Sequence, residues 1–268
     1  MISKKIIMHA ELSRLEEAVR EAGDAVIKIA KDGFETAYKA NKDPVTAADL
    51  AADAVLKRRL LDGFGDCGWL SEETSDDPGR LKKNRVWIVD PIDGTKEFVS
   101  GIDEFAVSAA LVDNGQPVLA AVYNPAADRL FTAVKGEGVW LNAQPIKVRN
   151  NAVEKPLILA SRSEVKRGEF EVFEPFVQLR VCGSIAYKLA LVAAGQADAT
   201  FSLGPKNEWD IAAGVLILQQ AGGKVTDLTG DSFLFNQRQP LVNGIIAASM
   251  ASYSSVTALI RQICEQKK

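Results

Sequence analysis

Histidine is nearly absent from this sequence: His9 is the single one among 268 residues. Histidine is the usual general base near neutral pH and a common ligand of zinc and other transition metals. Because a Ser-His-Asp triad, a Cys-His pair and a histidine-rich metal site all need this side chain, we expect none of them here. The chemistry must come from carboxylates, hydroxyls, backbone amides and any metal that they bind.

Cysteine and long apolar runs are scarce as well. Cys67, Cys182 and Cys264 are widely spaced, form no zinc pattern and leave an odd count, which is typical of reduced thiols in a cytoplasmic protein. No run approaches the roughly 18 apolar residues of a membrane span. The apolar run at residues 6–8 is too short for the core of a signal peptide. We therefore expect a cytoplasmic protein without membrane association.

The sequence has no excess of basic charge. Its 32 Lys and Arg residues face 35 Asp and Glu residues, so the formal net charge is −3. A nucleic-acid binder is expected to be basic, so this balance favours a small-molecule partner over a nucleic acid. The length is sufficient for one large domain or two packed subdomains.

What is present is a mixed pattern of helices and strands. Apolar residues at helical spacing predict amphipathic helices over 10–31 and 47–64. Alternating residues over 105–134 predict three antiparallel strands, with Asp113-Asn114-Gly115 as a hairpin turn. This pattern favours a layered α+β fold.

From about residue 150 the pattern changes to strands that alternate with helices. One helical stretch is predicted near 165–177, and a helix that ends the chain is predicted to run to about Cys264. We therefore divide the chain into an N-terminal α+β part, residues 1–148, and a C-terminal α/β part, residues 149–268.

The segment Val-Asp-Pro-Ile-Asp-Gly-Thr, residues 89–95, carries the strongest chemical signal. The strand Arg85–Val89 delivers Asp90 at its end, since Pro91 cannot donate to a strand ladder, and Asp93 follows in the turn. Two carboxylates this close repel each other, so a bound cation is the expected compensation. Carboxylate oxygens favour a hard divalent ion.

The same segment excludes another phosphatase class. The phosphoaspartate motif of haloacid-dehalogenase-type phosphatases also ends an apolar strand with two aspartates. Here the two aspartates lie one residue too far apart, and Pro91 stands where that motif has its nucleophile.

Three more acidic residues, Asp49, Glu72 and Asp210, lie at predicted ends of elements. Each by itself is compatible with an ordinary helix start or a solvated surface residue. Their order along the chain with the Asp90–Asp93 pair is what makes them candidates for one site.

That order resembles the signatures of the inositol monophosphatase family. The resemblance covers about residues 42–227 in four ordered motifs and is much more specific than any one of them. The segments that carry it are Glu72-Glu73, Asp90–Thr95 and Trp209–Gly214, with support from Pro44–Asp49, Gly183-Ser184 and Ala221–Gly223. Members of this family are magnesium-dependent, lithium-inhibited phosphomonoesterases with a layered αβαβα sandwich fold, and we expect both for this chain.

The resemblance implies a metal-binding role for five residues. Glu72, Asp90 and the carbonyl of Ile92 would hold one ion, and Asp90, Asp93 and Asp210 a second. Glu72 would also face a third, weaker ion. The expected cofactor is Mg²⁺, two to three ions per site, with Mn²⁺ as a substitute and Li⁺ and Ca²⁺ as inhibitors. The lysine-rich loop with Lys39 and Lys42, next to Asp49, is expected to modulate the lithium effect.

The resemblance also implies how phosphate is bound and attacked. Asp93, Gly94 and Thr95 would form the phosphate-binding segment, because backbone amides at the start of a helix bind anions. Thr95, paired with Asp49, would help to deprotonate a metal-bound water, with Glu72 as the third catalytic residue. The hydroxide would then attack phosphorus in line with the leaving alcohol.

The expected substrate is a phosphate ester, and three segments are most similar to 3′(2′),5′-bisphosphate nucleotidases. They are Lys96-Glu97-Phe98, Ser161-Arg162-Ser163 and Gly204–Asp210. We therefore predict hydrolysis of the 3′(2′)-phosphate of adenosine 3′,5′-bisphosphate. The expected substrate-binding residues are Arg162, Gly183, Ser184, Lys188 and Asp210.

Three positions depart from the nucleotidase pattern. Glu164 stands in place of a histidine, Tyr187 in place of a lysine and Ser202 in place of an arginine. The glutamate that inositol phosphatases place near Ser202 is missing too. Inositol-1-monophosphatase, with or without fructose-1,6-bisphosphatase activity, is therefore the alternative.

Two other classes stay open. A scaffold protein on a decayed phosphatase fold would have lost at least one metal ligand, and none is lost here. A glycosidase with paired carboxylates would stay active in a chelator, so EDTA distinguishes it. Dimers are common in the family, so a homodimer is one expected assembly.

Overall fold

The computed structural model describes residues 2–39, 43–62 and 66–266 and places them in five alternating layers of helix and sheet. The helices are α1 (Ile2–Asp32), α2 (Ala47–Leu61), α3 (Thr95–Val99), α4 (Arg162–Lys166), α5 (Ile185–Ala193), α6 (Glu208–Gln220) and α7 (Met250–Gln266). Short 3₁₀ turns cover Pro78–Lys82 and Glu171–Phe173.

The strands divide between two main sheets and two small pairs. In chain order they are β1 (Thr36–Tyr38), β2 (Pro44–Thr46), β3 (Gly68–Ser71), β4 (Arg85–Asp93), β5 (Ala106–Asp113), β6 (Gln116–Asn124), β7 (Arg129–Val134), β8 (Gly138–Leu141), β9 (Gln144–Pro145), β10 (Leu157–Ala160), β11 (Gln178–Val181), β12 (Ala199–Ser202), β13 (Lys206–Asn207), β14 (Gly223–Thr226), β15 (Leu241–Val242) and β16 (Ile245–Ser249). The larger sheet has the order β3-β4-β5-β6-β7-β8-β9, and the smaller one β11-β10-β12-β16-β14.

Helices α1 and α2 cover the outer face of the larger sheet. Leu15, Val19 and Leu56 are fully buried against residues such as Trp87 and Leu111 of β4 and β5. Each helix buries the face that meets the sheet, although α2 leaves the apolar side chain of Leu50 exposed.

Helices α5 and α6 form the middle layer between the two sheets. All nine residues of α5 are buried, and α6 buries most of its length. A helix with sheets on both sides has little face left for solvent, so these helices are apolar nearly all round. On the far side, α7 packs Tyr253, Val256 and Ile260 against the smaller sheet.

The layered αβαβα sandwich expected from the sequence is confirmed. The predicted boundary between residues 148 and 149 falls between β9 and β10 and stays a prediction. None of the helices in the described ranges has the length and apolar character of a membrane span.

Two local predictions need correction. The helix predicted near 165–177 is wrong: the helix α4 ends at Lys166, and only a 3₁₀ turn follows. Gly168 has φ +76°, which cannot continue a right-handed helix. Strand β4 does not end at Val89 but runs to Asp93, with an extra residue between the Asp90 and Asp93 pairings.

That β-bulge explains how Pro91 fits into a central strand. Asp90 pairs with Ser108 and Asp93 with Ala106, so Pro91 and Ile92 together face one residue of β5. The regular ladder is interrupted there, and the missing N–H of proline does not break it further.

Candidate active site

A cleft opens where β3 and β4 end and where α3, α5 and α6 begin. Most of the predicted site residues line it: Glu72, Asp90, Ile92, Asp93, Gly94, Thr95, Gly183, Ser184, Lys188 and Asp210. Asp49 and Arg162 are not in its wall. They lie behind it, each in contact with a segment that lines the cleft.

Three carboxylates converge in this cleft. Glu72, Asp90 and Asp210 each place one oxygen within 4.8 Å of the other two. Asp90 is only 1% exposed. Burial raises the pKa of Asp90 well above its ordinary value, and the charges of Glu72 and Asp93 raise it further. Burial and the charge of Asp93 likewise raise the pKa of Asp210.

Asp93 is held by the start of α5. Its Oδ2 accepts hydrogen bonds from the Ser184 hydroxyl and the Ala186 amide, both at 2.6 Å. Burial raises the pKa of Asp93 to about 6, although these two hydrogen bonds act to lower it. Ser184 adopts φ +53°, an uncommon conformation for a residue with a side chain. The backbone therefore turns sharply to aim α5 at Asp93.

This donor set fits a hard divalent cation. Carboxylate oxygens from Glu72, Asp90 and Asp210 face one another in a partly buried cleft, and their like charges make the arrangement costly without a cation. Mg²⁺ prefers oxygen ligands. The cluster has no nitrogen or sulfur ligand, and histidine is absent from the cleft wall among the described residues.

Lys39 contacts the acidic pair at the end of β3. Its Nζ donates to Glu72 Oε1 and to Glu73 Oε1, both at 2.7 Å. Burial lowers the pKa of Lys39, but the hydrogen bonds to the two glutamates outweigh it and raise the pKa overall. Lys39 therefore faces a predicted metal ligand directly. Lys42, the other lysine expected to modulate lithium, lies outside the described residues.

Thr95 and Asp49 form the pair that the sequence predicts. Thr95 Oγ1 lies 3.0 Å from Asp49 Oδ1 and 3.0 Å from the carbonyl of Ile92. Asp49 Oδ2 accepts hydrogen bonds from the amide and hydroxyl of Thr46, which caps α2. The capping box thus orients Asp49 so that its second oxygen points to Thr95.

Arg162 is tied to acidic residues. Its guanidinium forms an ion pair with Glu104 and lies 3.6 Å from Glu97 Oε1. Glu104 also accepts a hydrogen bond from the Gly183 amide at 2.9 Å. In this arrangement Arg162 orders the segment before α5, and a direct contact of Arg162 with substrate stays a prediction.

Asp53 is a supporting residue that the sequence analysis missed. It is buried in α2 and accepts hydrogen bonds from Ser71 at 2.5 Å and Thr74 at 2.6 Å. These two residues flank Glu72 and Glu73, so Asp53 orders the turn that presents them. Its position four residues after Asp49 was the one available signal, because it places both on one face of α2.

The sequence of this chain is similar to those of known proteins along nearly its whole length. The sequence profile of the inositol monophosphatase family matches residues 9–267. The chain is 36% identical over 244 residues to the 3′(2′),5′-bisphosphate nucleotidase CysQ of Escherichia coli. This match covers 87% of this chain and 96% of that protein. It is 34% identical over 239 residues to inositol monophosphatase 3 of Solanum lycopersicum, covering 83% of this chain and 88% of that protein.

Among solved structures, the Thermotoga maritima IMPase TM1415 superimposes with a TM-score of 0.83. It is 27% identical and the match covers 99% of both chains. The similarity therefore includes the fold along nearly the whole chain.

Proposed function

Because the chain belongs to the inositol monophosphatase family and is a phosphatase of phosphate monoesters, we propose that its substrate is adenosine 3′,5′-bisphosphate, whose 3′(2′)-phosphate it removes with Mg²⁺. The observation that carries this proposal is the cleft in which Glu72, Asp90 and Asp210 converge. The similarity to the Escherichia coli nucleotidase supports the choice of substrate.

The proposed metal ligands come from three elements. Glu72 follows β3, Asp90 lies in β4 together with the Ile92 carbonyl, and Asp210 lies in the first turn of α6. Asp93 would join Asp90 and Asp210 as a ligand of the second metal ion. Mg²⁺ bound by these groups would neutralise charge on the phosphoryl oxygens and acidify the attacking water.

Thr95 and Asp49 would move the proton of that water. The Thr95 hydroxyl can accept a hydrogen bond from the water while it donates its own proton toward Asp49 Oδ1, 3.0 Å away. Asp49 stays in place because Thr46 holds its other oxygen with two hydrogen bonds. General base assistance of this kind typically contributes 10²–10⁴-fold to a rate.

The start of α3 would bind the phosphate. Gly94 adopts φ +100° and caps α3, and Thr95 is its first residue. A Cβ at Gly94 would lie 3.1 Å from the Glu104 carbonyl, so the turn requires glycine for space as well as for conformation. The amides at this turn would donate to the phosphate oxygens.

Inositol-1-monophosphatase is the second candidate function. The chain is 34% identical to an inositol monophosphatase, and Glu164 and Ser202 stand where nucleotidases have basic side chains. A monophosphate of a polyol does not need those cations.

The deciding experiment is a phosphate-release panel with adenosine 3′,5′-bisphosphate, inositol 1-phosphate and fructose 1,6-bisphosphate. We expect magnesium-dependent turnover with the highest kcat/KM for the bisphosphate nucleotide. A higher kcat/KM for inositol 1-phosphate would replace the proposed substrate with the second candidate. Full activity after exhaustive EDTA treatment would contradict the metal-dependent mechanism itself.

Asp210→Asn tests the metal ligands without disturbing the fold. Asp210 Oδ2 accepts a hydrogen bond from the Asn207 amide at 2.8 Å, and an asparagine oxygen can still accept it. We expect turnover to fall by roughly 10²-fold or more, since an anionic ligand is lost, while the melting temperature in EDTA rises because the repulsion with Asp93 is relieved. Asp32→Asn, which changes an exposed aspartate at the end of α1, is the control and should change neither quantity.

A further inference from the structure

Three lysines line the cleft beside the carboxylates: Lys96, Lys188 and Lys206. Lys96 forms an ion pair with Asp43 at 2.7 Å. Lys188 belongs to α5, is 3% exposed and lines the cleft together with Asp93 and Asp210. Lys188 and Lys206 are therefore the cations that a second anionic group on a substrate could meet in this cleft.

Glu164 lies directly behind this part of the cleft. It belongs to α4, and its neighbours Ser161 and Ser163 line the cleft wall. Its Oε1 accepts a hydrogen bond from the Ser202 hydroxyl and lies 3.4 Å from Lys206 Nζ. Glu164 is only 3% exposed, and within the described part of the chain its Oε2 is buried without a hydrogen-bond partner.

A buried carboxylate of this kind changes what the lysines can bind. Lys206 is the ion-pair partner of Glu164, at 3.4 Å, and burial lowers the pKa of Lys188 overall, which the charge of Glu164 acts to raise. A phosphate group carries about −1.5 to −2 charges at pH 7. It would be attracted by the lysines and repelled by Glu164, whereas a hydroxyl group would feel neither effect strongly.

We propose that Glu164 is a specificity-determining residue that weakens binding of a second phosphate next to Lys206 and so keeps monophosphates competitive with bisphosphates. This rests on the proposed phosphatase function. Two of the three positions that depart from the nucleotidase pattern, Glu164 and Ser202, are joined by a hydrogen bond and would act together.

Glu164→Gln tests the proposal, because it removes the charge and keeps the shape and the oxygen that Ser202 contacts. The measurement is kcat/KM for adenosine 3′,5′-bisphosphate divided by kcat/KM for inositol 1-phosphate, at fixed Mg²⁺ and ionic strength. We expect this ratio to rise on the order of tenfold, mainly through a lower KM for the bisphosphate. The kcat for inositol 1-phosphate should change little.

Glu171→Gln is the matched control. Glu171 is an exposed glutamate in the 3₁₀ turn that follows α4, so its substitution changes the net charge of the protein equally. It should leave the ratio unchanged. An equal rise in both variants would attribute the effect to net charge and overturn the proposal.

Lys206→Gln, introduced into the wild type and into the Glu164→Gln variant, supplies a second test of the coupling. In the wild type, Glu164 already compensates the charge of Lys206. Removing the lysine should therefore lower the ratio of the two kcat/KM values only slightly. In the Glu164→Gln background the same loss should lower the ratio much more, and equal effects in the two backgrounds would refute the coupling.

The outcomes separate this proposal from the proposed function. If no phosphate ester is hydrolysed with Mg²⁺, the function is wrong. If both substrates are hydrolysed and the ratio in Glu164→Gln equals that of the wild type, the function stands and the role of Glu164 is wrong.

Discussion

The backbone and the side chain of Thr95 have separate roles in the proposed mechanism. Thr95 is the first residue of α3, where its backbone would face the phosphate, and its hydroxyl lies between Asp49 Oδ1 and the Ile92 carbonyl. Both acceptors are 3.0 Å away, while the hydroxyl has one proton to donate. An attacking water could therefore be oriented by the oxygen lone pairs of Thr95.

Replacing the hydroxyl with a methyl group tests this role. Thr95→Val keeps the size and β-branching of the residue but cannot accept a proton or donate to Asp49. We expect kcat to fall by roughly 10²–10³-fold with a nearly unchanged KM, measured by phosphate release with saturating Mg²⁺. Thr95→Ser, which keeps the hydroxyl, should retain activity within about tenfold of the wild type. A Thr95→Val enzyme as active as Thr95→Ser would remove Thr95 from the proton path.

At the scale of elements, the start of α5 holds the site together. Gly183 donates to Glu104, Ser184 donates to Asp93, and the Ala186 amide donates to Asp93 as well. A Cβ at Gly183 would lie 2.4 Å from Glu97 Cγ and 2.6 Å from the Glu104 carbonyl. The close approach of α3 and α5 therefore requires glycine at this position.

Gly183→Ala should push α5 away from Asp93. We expect a loss of about 1–3 kcal/mol in the free energy of unfolding, because the added methyl group meets backbone that cannot move easily. Activity at limiting Mg²⁺ should fall more than activity at saturating Mg²⁺. Gly204→Ala is the control, since a Cβ there meets nothing within 4 Å. Equal stability of the two variants in urea titrations would show that α5 can shift without cost.

At the scale of the whole molecule, five layers bring together acidic residues that are far apart in the chain. Glu72 and Asp90 come from the larger sheet, and Asp210 comes from the middle layer of helices. The repulsion between these groups opposes docking of the middle layer on the sheet. Binding of a cation should therefore stabilise the fold as well as enable turnover.

Titration with Mg²⁺ tests this link between binding and stability. A ligand that binds only the folded state at 100 times its Kd stabilises by about 2.7 kcal/mol, which corresponds to a rise of roughly 5–10 °C in melting temperature. We expect this rise in calorimetry, its reversal by EDTA, and inhibition of turnover by millimolar lithium but not by equal sodium. A melting temperature that is the same in Mg²⁺ and EDTA would contradict cation binding at the acidic cluster.

Local residue patterns are sufficient to predict several of the helices and strands. The alternation over β5, β6 and β7 and the amphipathic patterns of α1 and α2 are local properties, and the structure has all five elements. Helix α1, however, begins at Ile2, eight residues before the predicted start at residue 10. The segment Asp90–Thr95 identified two neighbouring carboxylates and the glycine that precedes α3, although β4 runs on to Asp93 and does not end at Val89.

The hydrogen-bond partners of the site residues, and the distances between them, depend on the tertiary structure. Ser184 and Asp93 are 91 residues apart, Thr95 and Asp49 46 apart, and Ser202 and Glu164 38 apart, and no local pattern encodes these contacts. The predicted helix at 165–177 failed at Gly168, where the backbone needs a positive φ that the helical spacing of the neighbouring residues does not reveal. Sequence spacing predicts the helix or strand in which a residue lies. The packing of the layers sets which charges face each other, because electrostatic and hydrogen-bond energies depend on distances through space.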